Sequence, residues 1–340
     1  MICPERRSFP ENLKTDRKNK MAGIQILGTG LSVPGKILSN DDLSRMLDTS
    51  DEWIVKRTGI RRRHITDGGE AVHTLAVNAA RKAVMNAEAS DSDFTRDKLS
   101  AVITATMTSD YVCPSVSCIL QKELGLPQAT ESFDISAACT GFVFALHTAF
   151  CILNERKGGY ALVTGSECMS RIMDYTDRAC CVLFGDGAGA AVIRYDASDN
   201  AAFHFIAGTE GNTDDLYCSR GKGQDGFLHM NGGKVYRFAS VSLKKAIERL
   251  LDECHITMDD VDMMVCHQAN ARIIESVRKN FPGHEHKFYM NMEEYANTSS
   301  ASVALAMADM FEKGLLHSGM RVITAAFGAG LSWNAALMTL

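Results

Sequence analysis

No uninterrupted apolar run in the chain approaches the ~20 residues that would span a bilayer. The first twenty residues carry six basic and three acidic side chains and no hydrophobic stretch, so no secretory signal is read there. These absences exclude a membrane-spanning protein and imply a cytoplasmic one, with a polar extension over residues 1–22 ahead of the folded core. Positive charge is also in short supply: the net charge of −5 argues against a nucleic-acid partner. Eleven cysteines are present, yet none forms a C-x-x-C pair and none stands with histidine at zinc-finger spacing. They read as small buried hydrophobes in a reducing compartment. The glycine run Gly185–Gly189 leads into a strand pattern rather than a helix, so it is a close-packed turn and not a dinucleotide loop.

What is present is ample core material: 340 residues, 46% hydrophobic, enough for one large core or two fused units. Within it, residues 134–146 (DISAACTGFVFAL) place Cys139 where an extended apolar segment meets an amphipathic helix. A thiol among the free N–H groups of a helix's first turn is biased toward thiolate, and small neighbours leave room for a carbonyl to approach. Two further joints of the same kind follow. An apolar run ends on His267 before a helical pattern, and Asn297 opens the small polar run 297–303 (NTSSASV). Taken singly, these residues also fit a buried structural cysteine, a satisfied core histidine and an ordinary N-cap. Three such joints together point to one site, since ligands gather at strand ends in α/β folds.

An internal repeat supports that grouping. Strand-like runs at 101–106, 161–165 and 188–193 are echoed at 262–266, 321–326 and 333–338, with the first two members of each series starting 60 and 59 residues apart. Cys139 and Asn297 precede equivalent strands. The chain therefore reads as two related halves, 23–197 with the cysteine and 198–340 with histidine and asparagine, sharing a site across a pseudo-two-fold axis.

From about residue 23 onward the chain resembles the β-ketoacyl-acyl-carrier-protein synthase III group of the thiolase-like superfamily. The matching segments are 26–30 (ILGTG), 48–60 (DTSDEWIVKRTGI), the Cys139 segment, 176–178 (TDR), 184–189 (FGDGAG), 267–270 (HQAN), 297–303 and 327–333 (FGAGLSW). The resemblance implies a five-layer α/β/α/β/α fold and a decarboxylative condensation of an acyl-CoA with malonyl-carrier protein, with no metal or redox cofactor. Cys139 would carry the acyl group; His267 and Asn297 would stabilise an enolate; the N–H groups of Cys139 and Ala329 would form the oxyanion hole. The resemblance further assigns CoA to Trp53, Arg57, Arg178 and Asn270, and the carrier protein to Arg237, Arg272 and Lys279. The primer pocket would lie among Cys113, Met169, Phe184, Leu228 and Phe327, with a homodimer as the working form and position 113 closing the pocket across its interface. No cysteine stands near Phe327, unlike thiolases, and a single histidine distinguishes the chain from elongating synthases. Two alternatives stay open: a related condensing enzyme or acyltransferase of secondary metabolism with another starter or acceptor, and a non-catalytic acyl-CoA-binding module.

Overall fold

Each of the six strand-like runs forms a strand, and each has its partner where the repeat puts it. The computed structural model describes residues 22–197, 202–219 and 225–340, so nearly all of the expected extension 1–22 lies outside the described residues. One sheet contains β1 (Gly23–Ser32), β2 (Leu99–Ala105), β3 (Glu131–Ile135), β4 (Tyr160–Cys168) and β5 (Asp186–Asp196), in the order β1-β5-β4-β2-β3. The second contains β6 (Phe203–Asn212), β7 (Met263–Cys266), β8 (Arg321–Gly328) and β9 (Gly330–Thr339), in the order β6-β9-β8-β7. In both sheets the first two pairings are antiparallel and the next is parallel. The counterpart of β3 in the second sheet is reduced to a single parallel bridge, Met264 to Phe288.

Helices form the other three layers. The helices α2 (Val72–Ser90) and α4 (Gly232–Cys254) each cover the outer face of one sheet, and each buries one apolar stripe. A helix α1 (Asp51–Thr58) carries Trp53 and Arg57; its N-cap, Ser50 Oγ, accepts from the Trp53 N–H. Between the sheets lie α3 (Gly141–Arg156) and α6 (Ala301–Glu312). Position dictates composition: residues 301–310 of α6 are all buried, as a helix with sheets on both sides must be. The stretch 138–156 is long and apolar enough to cross a membrane, but here its apolarity serves packing between two sheets. Gly189 shows how close that packing is, since a Cβ there would lie 2.3 Å from the backbone nitrogen of Leu305 in α6. The joint between β3 and α3 and the chain entering α6 meet, with Cys139 Sγ 3.5 Å from Ser299 Oγ.

The cysteines divide. Cys139, Cys168, Cys180, Cys181 and Cys266 are buried, whereas Cys113, Cys118 and Cys151 are exposed, so the expectation of uniformly buried thiols holds only in part.

Candidate active site

At the first joint β3 ends at Ile135, and the chain turns through Ala138, whose φ of 46 lies in the left-handed region. Cys139 sits in the single turn 138–140 directly before α3. The turn is pinned from the other half: Asn334 Nδ2 donates to the Thr140 carbonyl (3.0 Å), and the Thr140 and Ser332 hydroxyls are 3.0 Å apart. A glycine at the end of β8 permits this, because a Cβ on Gly328 would stand 2.9 Å from the Cys139 nitrogen and 3.2 Å from its Cβ. The helix start favours a thiolate, as the sequence suggested, but burial dominates and pushes the Cys139 thiol up to about 12. The hydrogen bond to Ser299 works against that rise and the Glu167 carboxyl adds to it.

His267 follows the last residue of β7, its N–H donating to the Ala325 carbonyl at 2.8 Å. The ring is 1% exposed, lies edge-on to Phe327 at 5.3 Å, and has Nδ1 2.5 Å from Ser302 Oγ on α6. Its Nε2 is buried with no hydrogen-bond partner among the described residues. Burial pushes this histidine down to about 3, so it is neutral near pH 7.

Asn297 is held by the opposite half: its N–H donates to the Leu183 carbonyl (2.9 Å) and its carbonyl accepts from Gly185 N–H (3.0 Å). The Ser299 N–H donates to Asn297 Oδ1 at 2.9 Å, which fixes the carboxamide and leaves its nitrogen for another partner. Asn297 is not the cap of α6. That helix begins at Ala301 after Ser300, and the intervening Ser299 has φ 50.

Cys139, His267, Asn297, Phe184 and Phe327 line one cavity of about 620 Å³ together with Trp53, Arg57, Arg178, Asn270 and Arg272. The first three are buried, while Arg57, Arg178 and Arg272 are exposed, so the cavity runs from the interior to solvent. Arg57 and Arg178 lie 4.5 and 5.3 Å from the centre of the Trp53 ring. Asn270 Oδ1 caps the helix α5 (Ala271–Arg278) by accepting from Arg272 N–H.

Other expected residues stand elsewhere. Cys113 is in an exposed turn beside Val112, which is 99% exposed, and does not line the cavity. Met169 and Leu228 do not line it either; both side chains are buried in the core cluster that also contains Phe184. Arg237 lines a separate surface depression with Lys234 and Lys245, and Lys279 shares an outer groove with Arg272 and Lys56. Ala329 joins β8 to β9, and its carbonyl accepts from Ser332 Oγ at 3.1 Å.

Sequence reasoning passed over Ser299, Ser302 and Glu167. Glu167 is fully buried in β4 and accepts from Ser300 Oγ (2.8 Å), Met107 N–H and Thr108 N–H. Burial outweighs those donors and pushes it up to about 7. An acidic residue inside the apolar run of β4 was a visible sign of it.

Residues 133–211 match the family description 3-oxoacyl-[acyl-carrier-protein] synthase III, and residues 251–340 match the description of its C-terminal part. A β-ketoacyl-[acyl-carrier-protein] synthase III from Clostridium acetobutylicum is 39% identical over 329 residues, covering 94% of this chain and 99% of that protein. The chain belongs to the 3-oxoacyl-[acyl-carrier-protein] synthase III family. A synthase III from Caldanaerobacter subterraneus is 40% identical over 92% of this chain and 96% of its own length. Among solved structures, the synthase III of Aquifex aeolicus superposes with a TM-score of 0.87 at 33% identity, covering 94% of this chain and all of that one, which establishes the thiolase-like fold. The priming β-ketosynthase of the R1128 polyketide pathway is similar at a TM-score of 0.86 and 32% identity, over 94% of this chain and 97% of its own.

Proposed function

We propose that this synthase III family member condenses an acyl-CoA starter with malonyl-carrier protein through an acyl-enzyme on Cys139, initiating fatty acid synthesis. The observation that carries the reading is one cavity lined at its buried end by Cys139, His267 and Asn297 and at its exposed end by Trp53 with two arginines against its ring. An indole face and guanidinium groups suit an adenine ring and phosphates. Loading transfers the acyl group from the CoA sulfur to Cys139 Sγ; the proton lost by Cys139 ends on the departing CoA sulfur. The N–H groups of Cys139 and Ala329 would receive the oxyanion.

In the second half-reaction the C–C bond to the malonyl carboxylate breaks, CO2 leaves, and the electron pair enters the thioester as an enolate. The enolate carbon then attacks the acyl carbonyl, Cys139 departs as thiolate, and a 3-oxoacyl thioester is formed. Both donors for the enolate oxygen can be assigned from hydrogen bonds. The Gln268 N–H lies 3.4 Å from Ser302 Oγ, so that oxygen accepts there and its proton is free for His267 Nδ1 at 2.5 Å. Nδ1 accepts, and the proton of neutral His267 therefore sits on the unpartnered Nε2. Asn297 Nδ2 supplies the second donor.

Arg272, Lys279 and the separate Arg237 form the basic surface for an acidic carrier protein, acting through encounter. A homodimer is supported by the exposed turn 111–113 beside the edge strand β3, whose Asp134 carboxylate accepts the N–H groups of Val116 and Ser117. The chain would work in the cytoplasm. Mass spectrometry of the protein after incubation with acetyl-, butyryl- and isobutyryl-CoA tests the reading: one acyl adduct located on Cys139 is expected. No adduct with any of the three CoA esters would remove it.

A further inference from the structure

Among the described residues, the one side chain hydrogen-bonded to Cys139 is not His267 but Ser299, with Sγ and Oγ 3.5 Å apart. Ser299 reaches that place through an uncommon backbone conformation, φ 50, which side chains other than glycine, asparagine and aspartate seldom adopt. Its N–H is already committed to Asn297 Oδ1, so the backbone holds the asparagine while the side chain faces the nucleophile. The hydroxyl proton has only a weak acceptor, the Met107 thioether at 3.8 Å.

Resting on the acyl-transfer reading above, we propose that Ser299 is a catalytic residue of loading: its hydroxyl turns from Met107 Sδ to donate to the Cys139 thiolate as it forms. In the resting state the S–H donates to Ser299 Oγ. When the thiol proton leaves through the cavity to water, the direction of the bond reverses and the O–H stabilises the anion. Sγ then forms its bond to the acyl carbon, the carbon–sulfur bond to CoA breaks, and a proton from water completes the CoA thiol.

The charged surroundings leave room for such a donor. His267, from the end of β7, is neutral, and Glu167, from β4, opposes the thiolate. The cations of the cavity stand at its exposed end. Besides the helix start, a hydroxyl is the short-range group left to favour the anion.

The test uses Ser299→Ala and Ser299→Gly in the full-length protein. Both remove the hydroxyl; glycine also relieves the left-handed backbone, so it remains foldable where alanine is strained. Iodoacetamide alkylation of Cys139 and single-turnover acylation would be followed against pH by mass spectrometry. A hydrogen bond to a charged group corresponds to a shift of about 1–2 pH units. With the wild-type thiol already held at about 12, the shift is read on the rising limb of the profile: in both variants that limb should move by this amount, with alkylation and acylation at pH 7 slowed ~10–100-fold. Unmoved pH profiles in folded variants, or a shift in only one of the two, would overturn the proposal. Wild-type protein that loads no acyl group would instead overturn the acyl-transfer reading, and the alkylation profile would still judge Ser299.

Discussion

The joint before α3 and the joint before α6 occupy equivalent places in two copies of one sheet-and-helix unit, yet they differ in how the chain enters the helix. At the first, one left-handed residue, Ala138, precedes Cys139, and α3 begins two residues later. Cys139 is thereby set in the turn directly before the helix and its free N–H groups. At the second, two left-handed residues, Ala296 and Ser299, bracket Asn297, and α6 begins only at Ala301. The extra turn of small residues lifts the carboxamide off the helix and places the Ser299 hydroxyl toward Cys139, while Ser302, in the first turn of α6 itself, faces His267. Duplication supplied two helix starts; departure from the repeat suits one to the proposed nucleophile and the other to the proposed donor array.

The largest expected effect separates those roles. Cys139→Ala should abolish acyl-enzyme formation, whereas His267→Ala should still load acyl groups while condensation falls ~10²–10³-fold. Single-turnover acylation beside steady-state condensation measures both. Equal loss of acylation in the two variants would make His267 a base for the thiol and erase the contrast between the joints.

Next in size is Gly328→Ala, which drives a methyl against the Cys139 backbone. Overpacking of this kind costs about 1–3 kcal/mol. The acylation rate should fall at least ~10-fold, with a lowered melting temperature seen by calorimetry. Normal loading would show that the first joint has slack that the distances deny.

A smaller effect concerns acid. His267 is held at about 3 against an ordinary value of 6.5, so below pH 6.5 the unfolded chain takes up a proton that the folded one refuses. Stability from this residue is present above pH 6.5 and declines toward pH 3, by at most about 1.4 kcal/mol per pH unit. Glu167, raised to about 7 from 4.5, acts in the opposite sense, favouring the fold below pH 4.5 and losing that share as pH rises through 7. Because the two contributions oppose each other between pH 7 and pH 5, the denaturant midpoint at pH 5 relative to that at pH 7 should rise in His267→Gln and fall in Glu167→Gln.

The smallest is Ala296→Gly. With φ 56 and ψ −157, Ala296 occupies a region nearly reserved for glycine, a strain of about 1–3 kcal/mol. Glycine's greater freedom in the unfolded chain offsets part of that relief. A net gain near ~1 kcal/mol, read as a melting point raised roughly 1–2 °C, is expected. A lower melting point would mean that the alanine methyl packs well enough to outweigh its backbone.

The three residues that meet in the cavity were legible because each sits at a break in periodicity: a cysteine among small residues, a histidine ending an apolar run, an asparagine opening a polar one. Trp53 and its arginines were reached through family likeness rather than pattern. Met169 and Leu228 lie away from the cavity of their own chain for a physical reason, and Cys113, expected to close a pocket across a dimer interface, is exposed in the single chain. Apolar character shows that a side chain is buried or packed, but not whether it faces a cavity or the core behind it, and a turn residue can face solvent despite apolar neighbours. Ser299 and Ser302 were hidden inside a run that reads as an ordinary helix start.

By itself the sequence determined the repeated strand and helix pattern, and with it the fold and the three joints, because hydrophobic periodicity and small residues at strand ends are local properties. Only the tertiary structure decided that burial outweighs the helix field at Cys139, that His267 is neutral, and that Ser299 touches the sulfur. Desolvation and hydrogen-bond direction depend on what the other half of the molecule brings across 160 residues of chain, and no local pattern records that.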